Sequence, residues 1–299
     1  MVYNYTFYLV SKKFRVSSSS FLFIFIISIA IIKEWIKMMV DAGTRQIDRL
    51  VDLATGVGTM VEIFLDNLPS DWKQPTVTCV DKSPEALEMA RKRLGNRVER
   101  LELIESPIED LNLPEDSADV AMWGNGIHYL TEESQEKALT RVREVLTPEG
   151  WLLFNSAFYA DSRPEDTLPF YRAQISNAVR KLKALGVGRQ DKTGRPQAGT
   201  FPDQAHYQWL LQQAGFGVEE MKKVVARLYK SAWENISGFS QYAAGALHGY
   251  QTDIAAKVLR EAVEPSLEQH GFRDEQNRLY IPRNWLAAAA RPRGEKRAT

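Results

Sequence analysis

A single cysteine, Cys79, stands among 299 residues, so no internal disulfide can cross-link the chain. With four histidines and that one thiol, no Cys/His cluster has metal-ligand spacing, and no metal is expected. A charge excess is also missing: Lys+Arg and Asp+Glu both number 38, for a formal net charge of zero. A general phosphate-backbone binder needs a basic surplus to displace counterions, so nucleic acid is not an expected partner. Internal repeats are absent, and "SSSS" at 17–20 is the sole low-complexity tract. Long apolar runs are scarce. The longest, "FLFIFIISIAII" at 21–32, would measure roughly 18 Å as a helix, short of the roughly 30 Å hydrocarbon core of a bilayer.

What is present begins with that run. Lys12, Lys13 and Arg15 precede it, as in a signal sequence or anchor, but no Ala-x-Ala site follows. Three readings stay open for residues 1–37: a buried or wrongly assigned leader, a membrane-surface or anchor segment, and a secretory signal. A cytoplasmic location is expected, with membrane association through residues 16–32 as the alternative. Met38 or Met39 is a candidate true start, and residues 293–299 form a basic tail.

Downstream, short β-rich segments alternate with helical ones. Strands are expected at 49–54, 76–81, 100–106, 116–124 and 150–159, and helices at 32–42, 59–69, 83–94 and 132–146. The helix at 83–94 is well signalled: Ser83 as N-cap, Pro84 in the first turn, Glu85 near the positive end and basic residues near the other. After Tyr159 the rhythm breaks into a helix at 168–185 and a polar Gly/Pro loop at 186–200. It resumes with a helix at 202–215, a strand at 218–229, helices at 231–247 and 253–271, and a strand at 279–292. Such alternation predicts βαβ units around a mostly parallel sheet.

The stretch "DLATGVGT" at 52–59 places Gly56 and Gly58 where the first strand turns into its helix. Glycine there permits positive φ and close backbone approach by a ligand, and the helix aims its N–H groups at the same place. Asp81 ends the second strand, 23 residues after Gly58 (81 − 58), the spacing of an acid that accepts ribose hydroxyls. Val61 stands where a dinucleotide fingerprint needs a third small residue. Asp52, just before the turn, repels phosphate and suits a ligand with an ammonium or sulfonium charge.

In order, "VDLATGVGT", "VTCVDKSPEALEMARKRL", "IEDLNLPEDSADVAMWGNGIHYL" and "REVLTPEGWLLF" resemble the motifs of class I S-adenosylmethionine-dependent methyltransferases. "DLATGVG" is similar to the ubiquinone/menaquinone-biosynthesis enzymes and their small-molecule relatives. The resemblance covers residues 40–160 strongly and 200–292 loosely. It implies a three-layer Rossmann-like α/β sandwich with a mostly parallel seven-stranded sheet. A methyltransferase domain would span 38–292, with a helical substrate lid at about 160–200 and further helices at about 231–271. S-adenosylmethionine would be the cofactor. By position, Asp52, Ala54, Gly56 and Gly58 would hold its methionine part, Asp81 the ribose, and Lys82 and Ser83 would flank the adenine. Pro107 stands where many relatives carry an acid for the adenine amino group, leaving Ile108 and Glu109 to border the ring. Asn125, in "GNGIH", would wall the methionine.

The implied activity is methyl transfer to a small, apolar or aromatic acceptor. A non-catalytic cofactor-binding or regulatory subunit is the alternative, and a nicotinamide-dependent oxidoreductase a further one. His128 is the candidate general base by position, with pocket lining and plain packing as its other readings, and Tyr129 a weaker candidate base. Phe158, Tyr159, Phe170 and Tyr171, with Trp233, Phe239 and Tyr242 on a later helix, read either as core or as an apolar pocket; Tyr129, Phe158, Tyr159, Tyr171 and Trp233 are the pocket candidates. His206, His248 and His270 are expected to be solvated or packing residues, and Arg180, Lys181 and Lys183 a solvated helix face.

Overall fold

The computed structural model describes residues 19–190 and 201–294, without the side chains of 19–27 and 241. Five strands, β1 (Arg49–Leu53), β2 (Thr76–Asp81), β3 (Leu101–Glu105), β4 (Ala118–Gly124) and β5 (Leu146–Ser156), run parallel to one another. Three more follow: β6 (Phe216–Tyr229), the two-residue β7 (Phe272–Arg273) and β8 (Leu279–Pro292). The order is β3-β2-β1-β4-β5-β8-β6, with β8 antiparallel to both flanking strands and β7 paired to its start. Seven strands thus form the main path, as expected, and β7 adds a short eighth.

Both sheet faces are covered, so the strands read as continuous apolar runs rather than alternating ones. Their two-residue period sends Val77, Cys79, Val120, Met122 and Leu153 into one core, and Val80, Ala121, Trp123, Leu152 and Phe154 into the other. In β8, Ala287 and Ala289 face the first core, Ala288 and Ala290 the second. These small side chains leave room for bulkier layers on each face.

The first face carries α1 (Ser19–Asp41), α2 (Thr59–Asn67) and α3 (Pro84–Leu94). Ile31, Ile32, Trp35, Ile36 and Met39 form a buried stripe on α1, at spacings of one, three and four. The boundary expected after residue 37 therefore falls inside a helix whose buried residues on both sides join one core. Glu62 of α2 accepts from Arg93 Nη1 (2.6 Å) and from Arg97 Nη1 (3.0 Å), bracing α2 to α3 and the turn after it. Among the described residues no helix is long and apolar enough to cross a membrane.

The second face carries α4 (Glu132–Val145) and α6 (Gln204–Gln213). Apart from these two cores, α5 (Leu168–Ala184), α8 (Ser240–Ala246) and α9 (Thr252–Glu261) share a smaller core of their own. They adjoin α7 (Lys230–Ser237) and α10 (Val263–His270). The helices expected at 231–247 and 253–271 are each broken in two, at Gly238 and at Ala262. Periodicity alone did not show these breaks, because both halves keep an apolar face. Residues 191–200 of the expected lid lie outside the described residues.

Candidate active site

Strand order reverses between β1 and β4, and an open α/β sheet binds ligands at the carboxyl ends of the strands beside such a reversal. The turn after β1 occupies that place. Ala54, Gly56 and Gly58 have φ of 52°, 53° and 77°, so left-handed residues alternate and coil the loop back over the strand ends. Thr55 N–H donates to the Val80 carbonyl (3.0 Å), and Gly58 N–H to the Thr55 carbonyl (3.0 Å). A Cβ on Gly58 would lie 2.9 Å from Leu94 Cδ1, so this glycine lets α3 pack close. A Cβ on Gly56 would meet nothing within 4 Å: the turn is open on that side.

Asp81 sits beside this open side. Its Oδ2 accepts from Gly56 N–H (2.8 Å) and its Oδ1 from Ser83 N–H (2.9 Å), tying the two strand-end turns together. An ionised carboxylate has about four acceptor sites, so two stay available for hydroxyl donors. Ser83 caps α3, accepting from Ala86 N–H (3.1 Å), and Lys82 beside it is exposed. The N-terminus of α2 has no side-chain cap, which leaves its first N–H groups for an anionic ligand end. The open glycine turn, spare carboxylate lone pairs and uncapped helix fit an adenosine-type ligand with an amino-acid end. Ile108 is buried and Glu109 half-buried in the 3₁₀ turn Ile108–Asp110, held near by Ser106 N–H donating to the Asp81 carbonyl (3.1 Å).

Asp52 is placed differently from the expectation of a ligand contact. It is 1% exposed, under the turn, where Thr55 Oγ1 donates to its Oδ2 (2.5 Å). Burial, joined by the negative charge of Asp81, pushes its carboxyl up to about 7 against the opposing Thr55 hydrogen bond. Asp52 therefore supports the turn from below. Cys79 beside it is buried, and burial pushes the thiol up to about 12.

Asn125 adopts φ of 52° and its Oδ1 accepts from Ala157 N–H (2.9 Å), fastening the end of β4 to the segment after β5. The carbonyl of the same Ala157 accepts from Arg283 Nη2 (2.7 Å). His128, in the 3₁₀ turn Ile127–Tyr129, is 3% exposed and stacks on Phe158 at 4.1 Å. Its Nδ1 lies in hydrogen-bond contact with Ser156 Oγ (3.1 Å), and its Nε2 is buried without a partner. Burial, reinforced by the Arg283 charge, pushes the imidazole down to about 3. Such a ring stays neutral at pH 7 but is a weak proton acceptor, so this environment favours the wall reading of His128 over the base reading. Tyr129 is pushed up to about 12 by burial.

Of the pocket candidates, Tyr129, Phe158, Tyr171 and Trp233 share the first core, and Tyr171 meets Trp233 edge-on at 5.4 Å. Tyr159 packs in the other core, because successive residues leave the end of β5 toward opposite faces. Phe170 is fully buried against Trp233, Phe239 is 56% exposed, and Tyr242 donates to Gln174 Oε1 (3.2 Å). His206, His248 and His270 are half-buried, and Lys181 pairs with Glu261 at 2.9 Å. Sequence reasoning missed Arg163, Phe201 and Arg283. The signal for Arg283 was a lone charge inside the apolar strand "LYIPRNWLAAAA"; Arg163 and Phe201 carried none, since only folding brings them to the site. Among the described residues no group of three or more His, Cys, Asp or Glu is placed to hold a metal ion.

The layers, strand order and crevice define a Rossmann-like α/β fold of the methyltransferase type. Residues 50–150 match the family model described as a methyltransferase domain. A candidate methyltransferase from Bacillus halodurans C-125 superposes with a TM-score of 0.53 at 15% identity, over 86% of this chain and 98% of that one. The YcgJ protein of Bacillus subtilis gives 0.52 at 15%, over 89% and 99%. A candidate sarcosine dimethylglycine methyltransferase from Galdieria sulphuraria gives 0.50 at 11%, over 87% and 85%. No curated protein matches the sequence. The domain match indicates S-adenosylmethionine as the cofactor.

Proposed function

We propose that the chain is an S-adenosylmethionine-dependent methyltransferase acting on a small-molecule acceptor. The observation that carries this reading is the carboxylate of Asp81 bonded to Gly56 N–H beside the open side of the glycine turn. Asp81 would take the ribose hydroxyls, Gly56, Gly58 and the start of α2 the methionine end, and Ser83, Ile108 and Glu109 would surround the adenine. When bound, the cofactor supplies a methyl group already activated as a sulfonium. The chain's own part is then to bind, orient and exclude water, which can be worth roughly 7–11 kcal/mol of a barrier. Tyr129, Phe158, Tyr171 and Trp233 supply apolar walls for the acceptor.

Titration calorimetry with S-adenosylhomocysteine tests the reading. The wild type is expected to bind, and Asp81→Ala to lose roughly 10- to 100-fold in affinity, as charge-assisted bonds are lost. No heat from the folded wild type, or undiminished binding by Asp81→Ala, would overturn it. A non-catalytic cofactor-binding subunit is the second reading, favoured by the weak basicity of His128. Release of labelled product from a metabolite extract separates the two.

A further inference from the structure

Arg283 lies in the first half of β8 and is 2% exposed. Its Nη2 donates to the Ala157 carbonyl, while Nε and Nη1 are buried with no partner. Its guanidinium carbon lies 5.3 Å from the Phe158 ring centre and 5.8 Å from that of Trp285. Arg163 comes from the loop after β5, which Asn284 fastens to β8 by donating to the Asp161 carbonyl (2.7 Å). The Arg163 guanidinium carbon is 4.2 Å from the Phe201 centre and 5.0 Å from that of Tyr171, and its Nε is likewise buried and unpartnered. Phe158, beside Arg283, and Phe201, beside Arg163, stack on each other at 5.7 Å.

Neither guanidinium is in an ion pair with a carboxylate among the described residues. On β6 and just before β8, half-buried arginines have acids: Arg227 meets Glu275 at 2.8 Å, and Arg278 meets Asp274 at 2.7 Å. Buried charge is normally paired, because desolvation of a lone cation is costly, and two cations in one pocket repel. Burial and the neighbouring Arg283 charge both lower Arg163 from its ordinary value. His128 Nε2 and Tyr171 Oη, also buried and unpartnered, add two more polar atoms to the same walls. This cluster is therefore short of negative charge and of acceptors among the described residues, and the rings around it are aromatic. It also adjoins the proposed cofactor crevice, since Asn125 and Arg283 hold opposite ends of the same residue, Ala157.

We propose that Arg283 and Arg163 form an anion subsite, and that the methyl acceptor is an organic acid whose carboxylate rests on these two guanidiniums with its apolar body against the surrounding aromatic rings. The proposal rests on the methyl-transfer reading and names its substrate class.

The test uses the full chain and a panel of acids: acetate, benzoate, 4-hydroxybenzoate, phenylacetate and indole-3-acetate. Each is compared with its primary amide at equal ionic strength, by thermal shift and calorimetry. At least one acid is expected to raise the wild-type Tm, with its amide inert. Arg283→Met should weaken that acid roughly 10- to 100-fold, Arg163→Met should weaken it too, and Arg283→Lys should retain part of the effect. In buffer alone Arg283→Met should keep or raise the Tm, because it removes an unpaired buried charge. If that variant fails to fold, Arg283→Lys and Arg163→Met decide the question. An inert panel, amides as effective as acids, or variants that keep full acid binding would overturn the proposal. S-adenosylhomocysteine binding, measured in parallel, is expected to survive in Arg283→Met. Intact nucleoside binding with no acid recognition overturns this inference alone, whereas absent nucleoside binding overturns the reading beneath it.

Discussion

Two buried titratable groups beside the crevice, Asp52 and His128, pull stability in opposite directions with pH. His128 resists protonation down to about 3 in the fold, while the unfolded ring takes its proton near 6.5. Between those values the unfolded state binds more protons, so stability falls as pH drops through 6.5 toward 3. Asp52 keeps a proton up to about 7 in the fold and gives it up near 3.8 when unfolded, so its contribution falls as pH rises across that window. His128→Gln is accordingly expected to flatten the acid limb of a urea-stability profile, and Asp52→Asn to flatten the loss between pH 4 and 7. Profiles parallel to wild type would show that neither group is held as described. Gly58 makes a separate prediction. Alanine there would meet both φ of 77° and Leu94 Cδ1, so Gly58→Ala should cost about 1–3 kcal/mol by chemical denaturation.

At the scale of elements, α1 is the clearest case. Its apolar run suggested a leader or an anchor, yet from Ile31 to Met39 it places five buried side chains on the first core. Trp35→Ala should cost roughly 3–5 kcal/mol, read as a drop in denaturation midpoint. A chain begun at Met38 should expose that face of α2 and α7 and aggregate or bind a hydrophobic dye. A truncated chain as stable as the full one would show that α1 is dispensable to the core. A helix in that stripe was legible from spacing. Its partner was not, because an apolar face looks the same whether protein or lipid covers it.

For the molecule as a whole, the sheet decides where everything else sits. β8 is inserted between β5 and β6, so its alanines support both cores at once. Ala288→Leu is expected to lower stability by about 1–3 kcal/mol through overpacking, measured as a shift in Tm. The same insertion carries Arg283 past the segment after β5, some 126 residues earlier in the chain. Most strands and helices were legible, since continuous apolar runs, caps and the glycine turn are local signals. The last strand was read at 279–292, the span it occupies. The turn and Asp81 were legible too, because they are a fixed spacing apart on adjacent strands.

The order of residues was enough to set the alternation of strand and helix, the glycine turn with its acid, and the lack of an internal disulfide, because each follows from short-range geometry and residue type. The fold alone decided that residues 31–39 of α1 join the core, that Asp52 lies beneath the turn, that His128 is buried, and that two arginines without acids among the described residues lie beside the same aromatic rings. Burial and charge pairing depend on what packs against a side chain, and those neighbours come from segments distant in the chain.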